Sequence, residues 1–253
     1  MHTDLDHALA LEFAGQVNHL YAALLSVAPA AMHREQEPSL GGKLLYAGEL
    51  EPHSRALVVA ANIAGAASLA ATADLSAQKQ AIRDGVLDFL VTSLDEALRI
   101  LKNQIRKRET VAVCVAAAPE AVEREMLERG VLPDLVSPAA SQGSNGDAFL
   151  KQGARRVEMS AANDGGVLVA WQVDAAPARW LPQIDAIALD CIDAEDMVSR
   201  RWMRLAPRYL GRLVQGMHVA TFTPEMQQAF ISRVEEGRNT GTIGVEVKIK
   251  TVG

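Results

Sequence analysis

The chain has 253 residues, enough for one large domain or two smaller ones with a sizeable buried core. Hydrophobic residues make up 49% and charged residues 22%, the balance of an ordinary globular protein, while aromatics reach only 4%, too few for base-stacking platforms. The formal net charge of -6 argues against nucleic acid or an anionic membrane surface as the main partner.

In chain order, the spacing of Leu5, Ala8, Leu9, Phe13, Val17, Leu20 and Leu24 predicts one long helix from Thr3 to about Ala28, with Thr3 or Asp4 as its cap. The acidic opening MHTDLDHALA lacks the basic-then-apolar order of a secretory signal. Proline and charge mark Pro29 to Gly42 as a linker. From Lys43 the pattern alternates. Strands are expected at Lys43-Ala47, Ser68-Ala73, Asp88-Val91, Val111-Ala116 and Asp134-Ser137, with helices at Ser54-Ala64, Ser76-Asp84, Ser93-Lys107 and Pro119-Arg129. Ser93-Leu94-Asp95-Glu96 has the form of a capping box, and Arg106-Lys107-Arg108 closes the same helix with cations. Most of these strands are continuous apolar runs, which indicates a parallel sheet covered on both faces. The fold class expected is therefore α/β, a doubly wound, mostly parallel, Rossmann-like sheet.

The longest apolar run, Ala56 to Ala73, matches a membrane span in length, but Asn62, Ser68 and Thr72 interrupt it. It reads as a buried helix, a turn at Gly65 and a buried strand. No membrane partner and a cytoplasmic setting are expected. Cys114 lies inside an apolar run and reads as a buried thiol. Cys191 is far from it in sequence, and neither a disulfide framework nor zinc spacing is present.

After Pro138, AASQGSNGD reads as a polar loop. Arg155-Ser160 and Val167-Val173, on either side of Ala162-Asn163-Asp164-Gly165-Gly166, read as a hairpin. Helices follow at about Trp180-Cys191, Ala194-Gln215 and Pro224-Glu236, and a strand at Val245-Thr251. The organisation expected is an N-terminal helical segment over 1-40, a Rossmann-like domain over 41-150, and a smaller C-terminal α+β region over 151-253. The strands of that last region are either its own or additions to the main sheet.

Several stretches of the α/β segment resemble one family in order and spacing. Gly41-Gly42-Lys43-Leu44, Ala64-Gly65-Ala66, Asp95-Glu96-Ala97-Leu98 and Arg129-Gly130-Val131-Leu132-Pro133-Asp134 are similar to the central domain of urocanases, over roughly residues 40 to 145. The resemblance implies a domain that holds NAD+ as an electrophile, and a homo-oligomer, since full-length urocanases are dimers. The departures fall on the cofactor loop. Where the family has a run of glycines, this chain has Gly48-Glu49-Leu50-Glu51-Pro52-His53-Ser54-Arg55. Two carboxylates repel phosphates, and Pro52 removes an N–H donor. Where the family has a Glu for ribose hydroxyls, this chain has Thr72, with Asp74 two residues on. The family's Thr-Ser-Ala-His-Asp-Pro loop is replaced by Ala139-Ala140-Ser141-Gln142-Gly143-Ser144-Asn145.

The positions that correspond to a cofactor pocket are thus Gly48, Glu49, His53, Ser54, Arg55, Thr72 and Asp74. No cofactor is expected in them, although NAD is what the family would place there. Two readings of His53-Ser54-Arg55 stand. Ser54, Arg55 and the helix dipole hold a small anion, or Ser54 caps the helix and Arg55 pairs with Glu49 or Glu51. Among Asp185, Asp190, Asp193, Glu195 and Asp196, Asp193 is a natural N-cap, and the spacing is not that of a calcium loop. Arg200, Arg204, Arg208 and Arg212 form a stripe that reads as solvated or subunit-facing, or as pairing with Glu195 and Asp196. The six histidines show no metal-ligand spacing.

The function expected is that of a urocanase-like protein without NAD binding or hydratase activity. It would be a small-ligand-binding or accessory protein, linked by the resemblance to histidine metabolism. The alternatives are a lyase or hydratase using NAD in an altered site, and a structural subunit of an oligomer.

Overall fold

The computed structural model describes residues 2–27, 37–158 and 166–252. The chain divides into two compact units, one of His19–Ser160 and the other of Ala161–Gly253 with Met1–Asn18. Helix α1 (His2–Ser26) contributes residues to each. It begins before Thr3 and Asp4, so neither is its cap.

In the first unit the apolar runs become β1 (Leu44–Glu49), β2 (Ala67–Ala71), β3 (Phe89–Val91), β4 (Ala112–Val115) and β5 (Leu135–Val136). The helices between them are α2 (Pro52–Ala64), α3 (Leu75–Arg83), α4 (Leu94–Lys107) and α5 (Pro119–Glu128). With β6 (Arg155–Arg156) the strands form one parallel sheet in the order β3-β4-β2-β1-β5-β6. The expected central strands are parallel neighbours.

Side chains alternate across a strand, and the alternation sorts the core. Leu44, Tyr46, Leu69, Val113 and Val115 pack in one cluster with Leu98 and Leu101 of α4 and Val122 and Met126 of α5. The intervening Leu45, Ala47, Ala70 and Cys114 are equally buried, and α2 packs on β1 and β2 with most of its residues buried. Helices therefore flank the sheet on both sides, as right-handed crossovers running in opposite directions require. Gly65 ends α2 at φ 95, a left-handed turn that suits glycine.

The motifs of the resemblance meet in space. Asp134 accepts from Lys43 Nζ at 2.8 Å and from the Leu44 N–H at 2.9 Å, tying the turn before β5 to the start of β1. Arg129 pairs with Asp95 of α4 at 2.6 Å and with Glu125 at 2.7 Å. Ser93 caps α4 by accepting from the Glu96 N–H, and the Glu96 carboxylate reaches back to accept from the Thr92 N–H and hydroxyl.

Two local expectations fail in this unit. The segment AASQGSNGD is not wholly a loop: α6 (Gly143–Lys151) starts inside it, anchored by the fully buried Phe149. Burial of that one large ring outweighs the weak helix propensity of glycine, serine and asparagine. Arg155–Arg156 does not form a hairpin with the following strand. It extends the main sheet beside β5. The turn residues Ala162 to Gly165 lie outside the described residues.

The second unit holds a separate antiparallel sheet. Its strands are β7 (Val167–Gln172), β8 (Met217–Phe222) and β9 (Lys248–Val252), in the order β8-β7-β9. Its helices are α7 (Pro177–Cys191), α8 (Met197–Leu210) and α9 (Pro224–Asn239). The helix expected to run to Gln215 ends at Leu210, and the unforeseen β8 follows. Met217, Val219, Ala220 and Phe222 are buried, a pattern that does not alternate cleanly and is too short to stand out in sequence. Asp196, not Asp193, caps α8 by accepting from the Ser199 N–H at 2.9 Å. Arg200 donates to the Leu189 and Ile192 carbonyls at the end of α7.

Candidate functional site

The carboxyl ends of β1 and β2 and the first turns of α2 and α3 frame an open cleft of about 450 Å³. Open α/β sheets bind ligands at this end of their strands. Four of the seven positions singled out in sequence line it: Glu49, Arg55, Thr72 and Asp74. Leu50, Glu51, Pro52, Ala73 and Ala77 complete the wall.

The remaining three are placed otherwise. Gly48 lies within β1 at φ 75, at an irregularity in the β1–β2 register. A Cβ there would meet the Ala140 Cβ at 3.0 Å. The glycine thus lets the turn after β5 close onto β1. Ser54 is buried, and its hydroxyl donates to the Ala47 carbonyl at 3.2 Å. Ser137 donates to the same carbonyl at 2.9 Å. Ser54 is therefore not the cap of α2: Glu51 holds that position without a side-chain bond. His53 is half-buried at the second helical position and is not among the residues lining the cleft.

Arg55 pairs with neither Glu49 nor Glu51. Its guanidinium is bound to Asp84, just past the end of α3, and Asp84 also accepts from Gln80 Nε2 at 2.8 Å. No sequence signal pointed to Asp84, because the contact joins two helices across 29 residues. Glu49 accepts from the Leu50 N–H at 3.2 Å. Asp74 caps α3, accepting from the Ser76 N–H at 2.7 Å, and Thr72 Oγ1 accepts from the Asp74 N–H at 3.1 Å. The buried Gln78 donates to the Thr72 carbonyl at 2.9 Å. The β2–α3 connection is fixed by its own polar groups.

Three buried titratable groups lie elsewhere in the same unit: Cys114, Tyr46 and Glu123. Burial, with the Glu49 carboxylate adding to it, pushes the Cys114 thiol up to about 12. Such a thiol is inert. Tyr46 donates to Glu123 Oε1 at 3.2 Å, and Asn145 donates to Glu123 Oε2 at 3.1 Å. Burial raises the Glu123 carboxyl above its ordinary range despite those two donors, and raises the Tyr46 phenol as well.

The fold and the cleft define a Rossmann-like α/β protein with a ligand cleft at the strand ends, its rim carrying three carboxylates and one ion-paired arginine. Residues 15–163, more than half of the chain, match the urocanase Rossmann-like domain, and the chain belongs to the urocanase family. Among the described residues no helix is long and apolar enough to cross a membrane. Among the same residues no group of three or more His, Cys, Asp or Glu is placed to hold a metal ion.

Proposed function

We propose that the protein is a urocanase-family member that no longer binds NAD+ or hydrates urocanate. In this reading it serves as a small-ligand-binding or accessory protein in histidine metabolism, a cytoplasmic homo-oligomer with no nucleic-acid partner. The observation that carries the reading is the β1–α2 connection. A dinucleotide pyrophosphate is held by bare N–H groups at a helix N-terminus. Here Pro52 takes the first helical position and offers no N–H, while Glu49 and Glu51 stand beside it. The nearest cation, Arg55, is committed to Asp84. These residues do not fit the group, and no catalytic step runs through it.

The carboxylates of Glu49, Glu51 and Asp74 favour a ligand with hydroxyl or cationic groups on this rim. A small anion would have to sit at the first turn of α2, close to two of those carboxylates. The decisive assay is urocanate turnover by the purified chain. No steady loss of urocanate absorbance above a heat-killed control is expected, and a steady loss would overturn the reading.

A second reading has one observation in its favour. Asp74 lines the cleft at the end of β2, where Rossmann-type sites place an acidic residue against ribose hydroxyls. It supports a lyase or hydratase that holds NAD+ in an altered pose, and direct NAD+ binding separates the two.

A further inference from the structure

The charges around the strand-end cleft select a narrower class of ligand. Glu49, Glu51 and Asp74 line the cleft, and so does one cation, Arg55, which is committed to Asp84. Two helices begin there: Glu51 is the N-cap of α2 and Asp74 the N-cap of α3. Each helix N-terminus carries about half a positive charge. The two ends together offset about one of the three carboxylates, which leaves roughly two negative charges for a ligand to meet. Neither end presents a vacant cradle for an anion, because Pro52 offers no N–H and Asp74 already accepts from the Ser76 N–H at 2.7 Å.

The carboxylates share the cleft without converging. Among the described residues no group of three or more His, Cys, Asp or Glu is placed to hold a metal ion. A cation that matches this wall therefore carries its charges apart. The rest of the wall is largely apolar, through Leu50, Pro52, Ala73 and Ala77. The volume of about 450 Å³ is that of a small-molecule site.

We propose that the cleft binds an aliphatic diamine, an inference that rests on the reading of the cleft as a small-ligand site without NAD+. One ammonium group donates to Glu49 or Glu51 beside α2, the other donates to Asp74 at the start of α3, and the methylenes between them lie on the apolar residues. Hydrogen bonds from an ammonium to a carboxylate are charge-assisted and stronger than those from a neutral hydroxyl. A diol would leave the charge of the wall unmet, a monoamine would meet half of it, and an anion would face three carboxylates.

The test is a titration of the full chain at low ionic strength, with 1,4-diaminobutane as the probe and 1-aminobutane, 1,4-butanediol and Mg2+ as controls. Calorimetry should give saturable heat for the diamine. The monoamine should bind at least about tenfold more weakly, the equivalent of one lost charge-assisted hydrogen bond, and the diol and Mg2+ should give no saturable heat. Backbone amide shifts on adding the diamine should be confined to the β1–α2 and β2–α3 connections. Asp74→Asn keeps an oxygen to cap α3 and should weaken the diamine about tenfold, while Glu128→Gln, at an exposed position on α5, should leave it unchanged. Equal binding of diamine and monoamine, amide shifts spread over other acidic surfaces, or no saturable heat with the diamine would overturn the proposal. Those outcomes are read on the unsubstituted chain and decide the matter even where a variant fails to fold. NAD+ is titrated separately: saturable NAD+ binding overturns the reading of the cleft and this inference with it, whereas a missing diamine isotherm overturns this inference alone.

Discussion

Single residues in the first unit fix what surrounds the cleft. Gly48 combines a left-handed backbone with a 3.0 Å approach of any Cβ to Ala140. Gly48→Ala should therefore destabilise the protein by about 1–2 kcal/mol from the backbone alone, with the contact adding to it. Urea unfolding measures this, and an unchanged midpoint would contradict the packing role. Glu123 supplies a pH-dependent prediction. Its carboxyl is raised by burial, so the folded chain holds that proton more tightly than the unfolded chain. This group's contribution is then fully present below the ordinary carboxylate range, and is lost as pH rises from there through the raised value. Glu123→Gln keeps an acceptor for the Tyr46 hydroxyl and has no such slope. Its stability advantage over the native chain should grow as pH rises above the ordinary carboxylate range of about 4. Parallel pH profiles for the two proteins would contradict the assignment.

At the scale of elements, the α2–α3 pair is held partly by Arg55 and Asp84, each with a side chain 20% exposed. A double-mutant cycle of Arg55→Ala and Asp84→Ala should give a coupling of about 1 kcal/mol, above that of an exposed pair. Zero coupling would return Arg55 to the cleft as a free cation. The same pair shows what sequence could and could not reveal. Strands β1 to β5 and helices α2 to α5 were legible because continuous apolar runs and capping residues are local signals. Arg55–Asp84 was not, because nothing local in a chain says which distant acidic residue an arginine will meet. Helix α6 was hidden for a related reason. Its glycines, serine and asparagine look like a loop, while Phe149, buried against Tyr46 with ring centroids 5.9 Å apart, and the Asn145–Glu123 hydrogen bond hold it in place.

At the scale of the whole molecule, family and fold were written in the motifs around Lys43, Asp95, Arg129 and Asp134, because those residues tie β1, α4 and the turn before β5 together. They mark ancestry through architecture and do not touch the cleft. In the proposed reading the cleft has diverged; of the seven sequence-selected positions, Glu49, Arg55, Thr72 and Asp74 line it. Urocanate turnover should accordingly be absent. The most direct measurement of the central claim is titration calorimetry with NAD+. Losing two or three backbone hydrogen bonds to charged oxygens, at about 1.5–3 kcal/mol each, moves a micromolar dinucleotide affinity to roughly millimolar or weaker. The account predicts no saturable heat at sub-millimolar NAD+, and a micromolar isotherm would contradict it and restore the cofactor to the cleft.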